Sequence, residues 1–274
     1  MHLFQKLVQR LLVLMISFSL LIVVILIGLM KYQPTNDGIE TTPPENLAIW
    51  DANTLVLNNP NVTKQVKEGY RLVAESSKYM GPLAEDKSLQ FAGNNLSCTN
   101  CHLNGGTQSG SASWIGIVGR FPQFGGRANA TGTLEDRING CMERSMNGKK
   151  FPPDAPQIQA MIAYMKWLDE GIPKLNEKIF KGYPNIELPN QAVNLSTGKE
   201  IYVRECALCH GSNGQGVRYL NEKEGYQYPP LWGSDSYNNG AGMHRVITAA
   251  AFIKNNMPYL QASWDNPKLS DEEA

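Results

Sequence analysis

Cys98-Thr99-Asn100-Cys101-His102 and Cys206-Ala207-Leu208-Cys209-His210 decide how the rest of this 274-residue chain is read. In a Cys-x-x-Cys-His run the two thiols add to haem vinyl groups as thioethers. The adjacent imidazole is then held where it ligates the iron from the proximal side. A zinc site would need a compact second Cys or His pair, and each pair here is followed at once by a single His. A thioredoxin-like dithiol would need βαβ surroundings, which the flanking sequence lacks. Two copies, each at the end of a helix-like stretch, imply two covalently bound haem c groups. Cys98, Cys101 and His102 hold the first, and Cys206, Cys209 and His210 the second.

Working outward, the helix-like stretches run from Thr63 to Met80 and from about Thr197 to Glu205. Each motif is followed by a long segment rich in Gly, Pro and Asn, and strand-like alternation is scarce. The expected fold is all-α, with two class I cytochrome c-like domains in tandem over residues 62–172 and 195–274. Residues 173–194, with Pro184 and Pro189, read as a linker lying across the surface. The first domain closes on a helix in which Asp154 and Gln157 form the cap. Ile158, Met161, Ile162, Met165 and Leu168 make its apolar stripe, and Gly171 stops it. Ser270-Asp271-Glu272-Glu273 opens another capping box, and the sequence stops at Ala274. The last helix of the second domain is therefore expected to be missing, with the sequence a C-terminally truncated part of a longer protein.

At the other end, residues 11–30 are Leu, Ile, Val, Met and Phe, interrupted only by Ser17, Ser19 and Gly28. Twenty helical residues span the ~30 Å hydrocarbon core of a bilayer. A cleaved signal peptide has a shorter apolar region, ~7–15 residues, and a small-residue cleavage site. Lys6 and Arg10 precede the stretch, whereas no Lys or Arg lies between Tyr32 and Trp50. The positive-inside bias gives a cytoplasmic tail at 1–10, an uncleaved transmembrane anchor at 11–30 and a tether at 31–61. The haem domains would then stand in the periplasm, held to the cytoplasmic membrane by one pass. Charge balances at 25 basic and 25 acidic residues, so no nucleic-acid partner is indicated.

For the distal ligand of the second haem a soft thioether is expected. Met257 lies 47 residues after His210, in Asn255-Asn256-Met257-Pro258. Met243 and His244, in Gly242-Met243-His244-Arg245, compete with it. Haem attachment uses four of the five cysteines and leaves Cys141. If Arg137-Ile138-Asn139-Gly140-Cys141-Met142-Glu143-Arg144 is helical, Arg137 and Arg144 flank the thiol on one face. Nearby cations favour thiolate, the form that acts as nucleophile and metal ligand. From Ile115 to Lys150 the chain carries Arg120, Arg127, Arg137, Arg144, Lys149 and Lys150 against only Glu135, Asp136 and Glu143. That surplus suits a small anionic substrate. It equally suits a solvated basic face on an electron carrier ligated by Met142 or Met146.

Arg120-Phe121-Pro122, Arg127 and the run from Arg137 through Cys141 to Lys149, set between the two motifs, resemble the thiosulfate dehydrogenase/tetrathionate reductase family of periplasmic dihaem cytochromes. More distantly, the chain is similar to the dihaem subunit of the thiosulfate-oxidising multienzyme complex. The likeness covers about residues 63–272. It implies an oxidoreductase joining two thiosulfates into tetrathionate, or the reverse, with an external electron partner such as another cytochrome. It also implies Cys141 as distal ligand opposite His102, Arg127 and Arg137 as substrate-holding arginines, and His210 with Met257 as the second ligand pair. Some members carry a Lys before that Met and exchange ligands on reduction. Here the position is Asn256, so no exchange is expected, and the membrane anchor departs from the freely soluble members. A non-enzymatic dihaem carrier and a haem subunit of a thiosulfate-oxidising complex are the other readings.

Overall fold

The structure, a computed structural model, describes residues 2–31, 53–152, 154–170 and 180–274. It divides into two compact units, residues 1–48 and 49–274. In the first, α1 (His2–Lys31) is one continuous helix that starts well before the expected 11–30. Its segment Phe4–Ile25 is long and apolar enough to cross a membrane. Ser17 donates to the Val13 carbonyl at 2.9 Å, so this polar interruption is satisfied within the helix. Most of the expected tether, residues 32–52, lies outside the described residues. Its last part is no tether, because the π-turn Asn53–Leu57 buries Val56 completely.

In the second unit α2 (Lys64–Ala74) packs along α6 (Pro156–Asp169). Val66, Leu72 and Val73 share a core with Ile158, Met161, Ile162, Met165 and Leu168. The helices come closest at Gly69, where a Cβ would stand 2.0 Å from the Ala160 carbonyl oxygen. No other residue fits that crossing. Tyr164 is fully buried beside it, edge-on to Tyr70 at 5.5 Å, and donates to the Gly105 carbonyl at 2.8 Å. That bond joins the helix pair to the loop behind the first haem motif.

The helix expected over 63–80 breaks at Glu75 and resumes as α3 (Ser76–Met80). Ser76 causes the change: its buried hydroxyl donates to the Leu72 carbonyl at 2.8 Å and accepts from the Cys98 amide at 3.2 Å. The expected Asp154–Gln157 cap is not formed. Helix α6 begins at Pro156 with Ala155 as its N-cap, a start in which the ring presets φ and leaves one amide fewer to cap. Gly171, its expected stop, lies outside the described residues. The first motif passes through a 3-10 turn at Cys98–Asn100 into the single-turn α4 (Leu103–Gly106).

The second haem domain opens with α7 (Leu195–Ile201) rather than at Thr197, because Asn194 Oδ1 caps the Ser196 and Thr197 amides at 3.0 and 3.2 Å. A π-turn at Tyr202–Cys206 then leads into α8 (Ala207–His210), which carries the motif. Sequence reading assigned no helix to α9 (Val246–Asn256), although its Ala249-Ala250-Ala251 run is strongly helix-forming. The Ser270 capping box is formed, with the Glu273 amide donating to Ser270 Oγ at 3.2 Å and the Ser270 amide to Glu273 Oε2 at 3.1 Å. The fold is helical but not purely so. Strands β1 (Gln123–Gly125) and β2 (Ala130–Gly132) pair antiparallel, with Phe124 opposite Thr131. A second hairpin joins β3 (Val217–Arg218) to β4 (Tyr226–Tyr228).

Residues 173–179 of the expected linker lie outside the described residues. The part that follows begins inside the fold, whereas residues 187–194 are exposed. Phe180 is buried, Tyr183 meets Phe252 edge-on at 5.8 Å, and the Gly182 carbonyl accepts from the Ala112 amide at 2.9 Å. Aromatic side chains gain too much from burial to lie on the surface here. The two haem segments also meet along a polar seam. Asn94, fully buried, donates to the carbonyls of Ser145 and Ser236, both at 3.0 Å. Asp235 accepts from the Asn95 amide at 2.8 Å, from the Tyr226 hydroxyl at 2.7 Å and from Arg218.

Candidate haem and substrate site

None of the five cysteines forms a disulfide. At the first motif, His102 Nδ1 pairs with the Ala112 carbonyl at 2.8 Å, and Trp114 lies 5.0 Å from the ring. His210 is oriented in the same way by the Pro229 carbonyl at 2.8 Å. A carbonyl on Nδ1 fixes the tautomer and leaves Nε2 as the ligating atom, the usual support for a metal-bound imidazole. Burial pulls the His102 pKa down to about 4, with Arg137 adding to the effect, so the imidazole is neutral and able to ligate. Burial also pushes the Cys98 and Cys101 thiols up to about 11 and about 12, with Cys141 raising both further. Two unpaired thiols and one oriented imidazole in each domain are the donor set that a covalently attached haem requires.

Helix α5 (Leu134–Arg144) carries both Arg137 and Cys141, one turn apart, as the charge pattern anticipated. A capping box starts it: Thr133 Oγ1 accepts from the Asp136 amide at 3.3 Å, and Asp136 Oδ2 from the Thr133 amide at 2.9 Å. Ile138 and Met142 face the core, while Cys141 is half-buried and Arg137 exposed. Met146, like Met142, is packed into the hydrophobic core. Arg127 is exposed in the β1–β2 turn region and donates to the Gly240 carbonyl of the second domain. Arg120 is engaged otherwise, donating to the carbonyls of Ser113, Ile115 and Gly116, all at 3.2 Å. It braces the loop behind His102. Arg144 curls back over Gly140, where a Cβ would meet its guanidinium at 2.5 Å.

Several residues near this site carried no sequence signal. Burial raises the Tyr183 pKa, with Cys101 and then Cys141 adding to the effect. Its hydroxyl lies 3.9 Å from Met243 Sδ, so that thioether is already engaged. Tyr237 is likewise raised by burial and then by Cys101. Among the candidate distal ligands, His244 is exposed. Met257 is half-buried where α9 ends, its amide donating to the Ile253 carbonyl at 2.8 Å. Asn256 before it is fully buried: its Oδ1 accepts from Gln108 at 2.9 Å and its Nδ2 donates to the carbonyls of Gly110 (2.9 Å) and Phe252 (3.0 Å). Only the folded interface reveals these roles, since neither Gln108 nor Asn256 belongs to a sequence motif.

Fold and donor sets together define a dihaem c-type cytochrome, two cytochrome c domains in tandem with one haem c in each. Residues 90–173 match the family model described as SoxA/TsdA, cytochrome c domain. Residues 193–274 match the one described as cytochrome C oxidase, cbb3-type, subunit III. The chain is 38% identical over 237 residues to a thiosulfate dehydrogenase of Thiomonas intermedia, covering 83% of this chain and 69% of that one. It is 38% identical over 193 residues to a thiosulfate dehydrogenase of Stutzerimonas stutzeri, covering 70% and 59%. A solved thiosulfate dehydrogenase (TsdBA) from Marichromatium purpuratum, in its "as isolated" form, superposes with a TM-score of 0.66 at 33% identity, covering 76% of this chain and 43% of that one. The chain belongs to the thiosulfate dehydrogenase family. Its match spans only 59% of the Stutzerimonas stutzeri relative's length.

Proposed function

We propose that this protein oxidises two thiosulfates to tetrathionate, or runs the reverse reaction, and exchanges the two electrons with an external partner such as another cytochrome. One observation carries the reading: a half-buried cysteine outside both haem motifs, Cys141, stands on α5 one helical turn from Arg137.

His102 and Cys141 would hold the first haem iron, and His210 with Met257 the second. Engagement of Met243 by Tyr183 and exposure of His244 support Met257 over its rivals. When bound, each haem takes up or releases one electron at a time. The chain's own residues do the rest. Arg137 and Arg127 screen the repulsion between two dianions brought to one place. Cys141 thiolate and the sulfane sulfur of one thiosulfate form a sulfur–sulfur bond, which releases two electrons. The sulfane sulfur of the second thiosulfate then attacks the sulfane sulfur bonded to Cys141 Sγ, breaking that Sγ–S bond, forming tetrathionate and expelling the Cys141 thiolate. Charge donated by Cys141, were it the ligand, would lower the potential at the first site relative to the second and favour electron flow from first to second in the oxidising direction.

Helix α1 would anchor the chain in the cytoplasmic membrane, with both haem domains in the periplasm, where c-type haem domains and free thiosulfate meet. Cys141→Ala tests the assignment. Thiosulfate turnover should vanish while both haems stay attached, and the narrow-spread, low-spin ferric resonance of a thiolate ligand should vanish with it. Retained turnover, or two methionine-type signals untouched by the substitution, would make the protein a plain electron carrier.

A further inference from the structure

We infer that Asn238, a residue of the second haem domain, is a positioning residue for both Cys141 and Arg127 of the first; this rests on the thiosulfate reading of that site. The last carbonyls of a helix have no partner within it and need one from outside. On α5, the Cys141 carbonyl accepts from the amides of Ser145 (2.8 Å) and Met146 (3.0 Å). The next two free carbonyls are taken across the domain seam. Asn238 Nδ2 donates to the Glu143 carbonyl at 2.8 Å, and the Asn238 amide donates to the Arg144 carbonyl at 3.1 Å. Nδ2 also reaches Asn147 Oδ1 at 3.2 Å. The final turn of the Cys141 helix is thus closed by the domain that carries the second haem.

The other end of the same side chain governs Arg127. Asn238 Oδ1 accepts from the Gly240 amide at 2.9 Å, and the Ala241 amide donates to the Asn238 carbonyl at 2.9 Å. This tight turn sets the direction of the Gly240 carbonyl, which receives the Arg127 guanidinium. A Cβ on Gly240 would lie 3.1 Å from Arg144, so the turn also sits close against the arginine after Cys141. One amide group therefore fixes, with its nitrogen, the helix end that presents the thiol. With its oxygen it fixes the carbonyl that aims the guanidinium. A thiol and a cation that must meet one thiosulfate are referenced to a single atom group, and the second domain completes the first domain's site.

The test uses the full, haem-loaded chain with Asn238→Ala and Asn238→Asp. Aspartate keeps the oxygen for Gly240 but turns the donor facing Glu143 into an acceptor. Loss of supporting bonds around a reactive centre typically costs about 10-fold or more in function. Asn238→Ala should therefore raise KM for thiosulfate about tenfold, broaden the thiolate-type ferric resonance and speed hydrogen exchange at Ser145 and Met146. Asn238→Asp should broaden the resonance and speed exchange in the same way, with a clearly smaller change in KM. Wild-type KM, resonance and exchange in both variants, with both haems attached, would overturn the inference. If the wild-type protein turns over no thiosulfate, the functional reading fails on its own, and exchange at Ser145 and Met146 still decides the role of Asn238.

Discussion

The side-chain amide of Asn256 donates to the carbonyl of Gly110 at 2.9 Å, a bond that joins the residue before Met257 to the loop behind His102. That loop also gives the Ala112 carbonyl to His102 and the Gln108 side chain to Asn256. The supports of His102 and of the residue before Met257, the two proposed iron ligands, thus share the five-residue segment 108–112. The haem domains are not two beads on a tether. Their relative placement is built into the hydrogen bonds that Asn256 makes with Gln108 and Gly110.

Removing that link should be felt at the second haem first. Asn256→Ala deletes the acceptor and donor of three bonds and leaves buried polar groups unmatched, at about 1–3 kcal/mol for each group left unsatisfied. Met257 should then bind iron less firmly, seen as a weakened methionine–iron absorption band, together with a lower Tm. An unaltered band and Tm would show that Met257 is held by other contacts.

Arg137 is exposed on α5, one turn before Cys141, and among the described residues no carboxylate is paired with it. Arg137→Ala should raise KM for thiosulfate about tenfold or more, worth about 1.4 kcal/mol of binding. Steady-state kinetics at two ionic strengths is the measurement. The wild-type dependence of KM on salt should flatten in the variant, and a variant with the wild-type dependence would remove Arg137 from substrate recognition.

The C-terminal segment is fastened by carboxylates, and acid should release it. The hydrogen bond and charge of Lys254 hold the Asp271 carboxyl below the usual aspartate range, and Lys268 with Arg204 does the same for Glu205. A group depressed in the folded state stabilises it above the ordinary carboxylate pKa, and that stabilisation is lost as pH falls through the folded value. The window therefore lies below about pH 4. Hydrogen exchange over residues 265–274 should rise there in the wild type. In Asp271→Asn it should already be raised at neutral pH and change less with acid.

Two glycines in helices should respond oppositely to a methyl group. At Gly69 an added Cβ meets the Ala160 carbonyl at 2.0 Å, so Gly69→Ala must spread α2 from α6 and cost about 1–3 kcal/mol, or roughly 2–4 °C of Tm per kcal/mol. At Gly198, in α7, nothing lies within 4 Å, and Gly198→Ala should stabilise by about 0.5–1 kcal/mol. Thermal unfolding of both variants measures the contrast, and equal shifts would refute the close crossing.

The sequence alone determined the covalent chemistry and its number. Cys-x-x-Cys-His is a local pattern, its members are adjacent in the chain, and two copies mean two haem attachments whatever the packing. Its reach extended to the helix that puts Arg137 and Cys141 on one face, because a 3.6-residue period is also local. It also located the capping box at Ser270. It misplaced the start of α6, took 63–80 as unbroken and assigned no helix to 246–256. The break in 63–80 was decided by a bond distant in sequence, where Ser76 bonds Cys98, whereas the start of α6 turned on the local preference for Pro156 at its first position.

Only tertiary structure decided which polar residues serve the site. Asn94, Asn238 and Asn256 look alike in the sequence, each a small amide in a stretch rich in Asn or Gly. Each becomes specific because its Nδ2 donates to a backbone carbonyl more than 90 residues away. Burial removes the water that would otherwise satisfy those groups, so the bonds between domains must be made and their geometry becomes fixed. That is why the attachment of the haems is written in short motifs, whereas the alignment of Cys141, Arg127 and Met257 exists only in the folded chain.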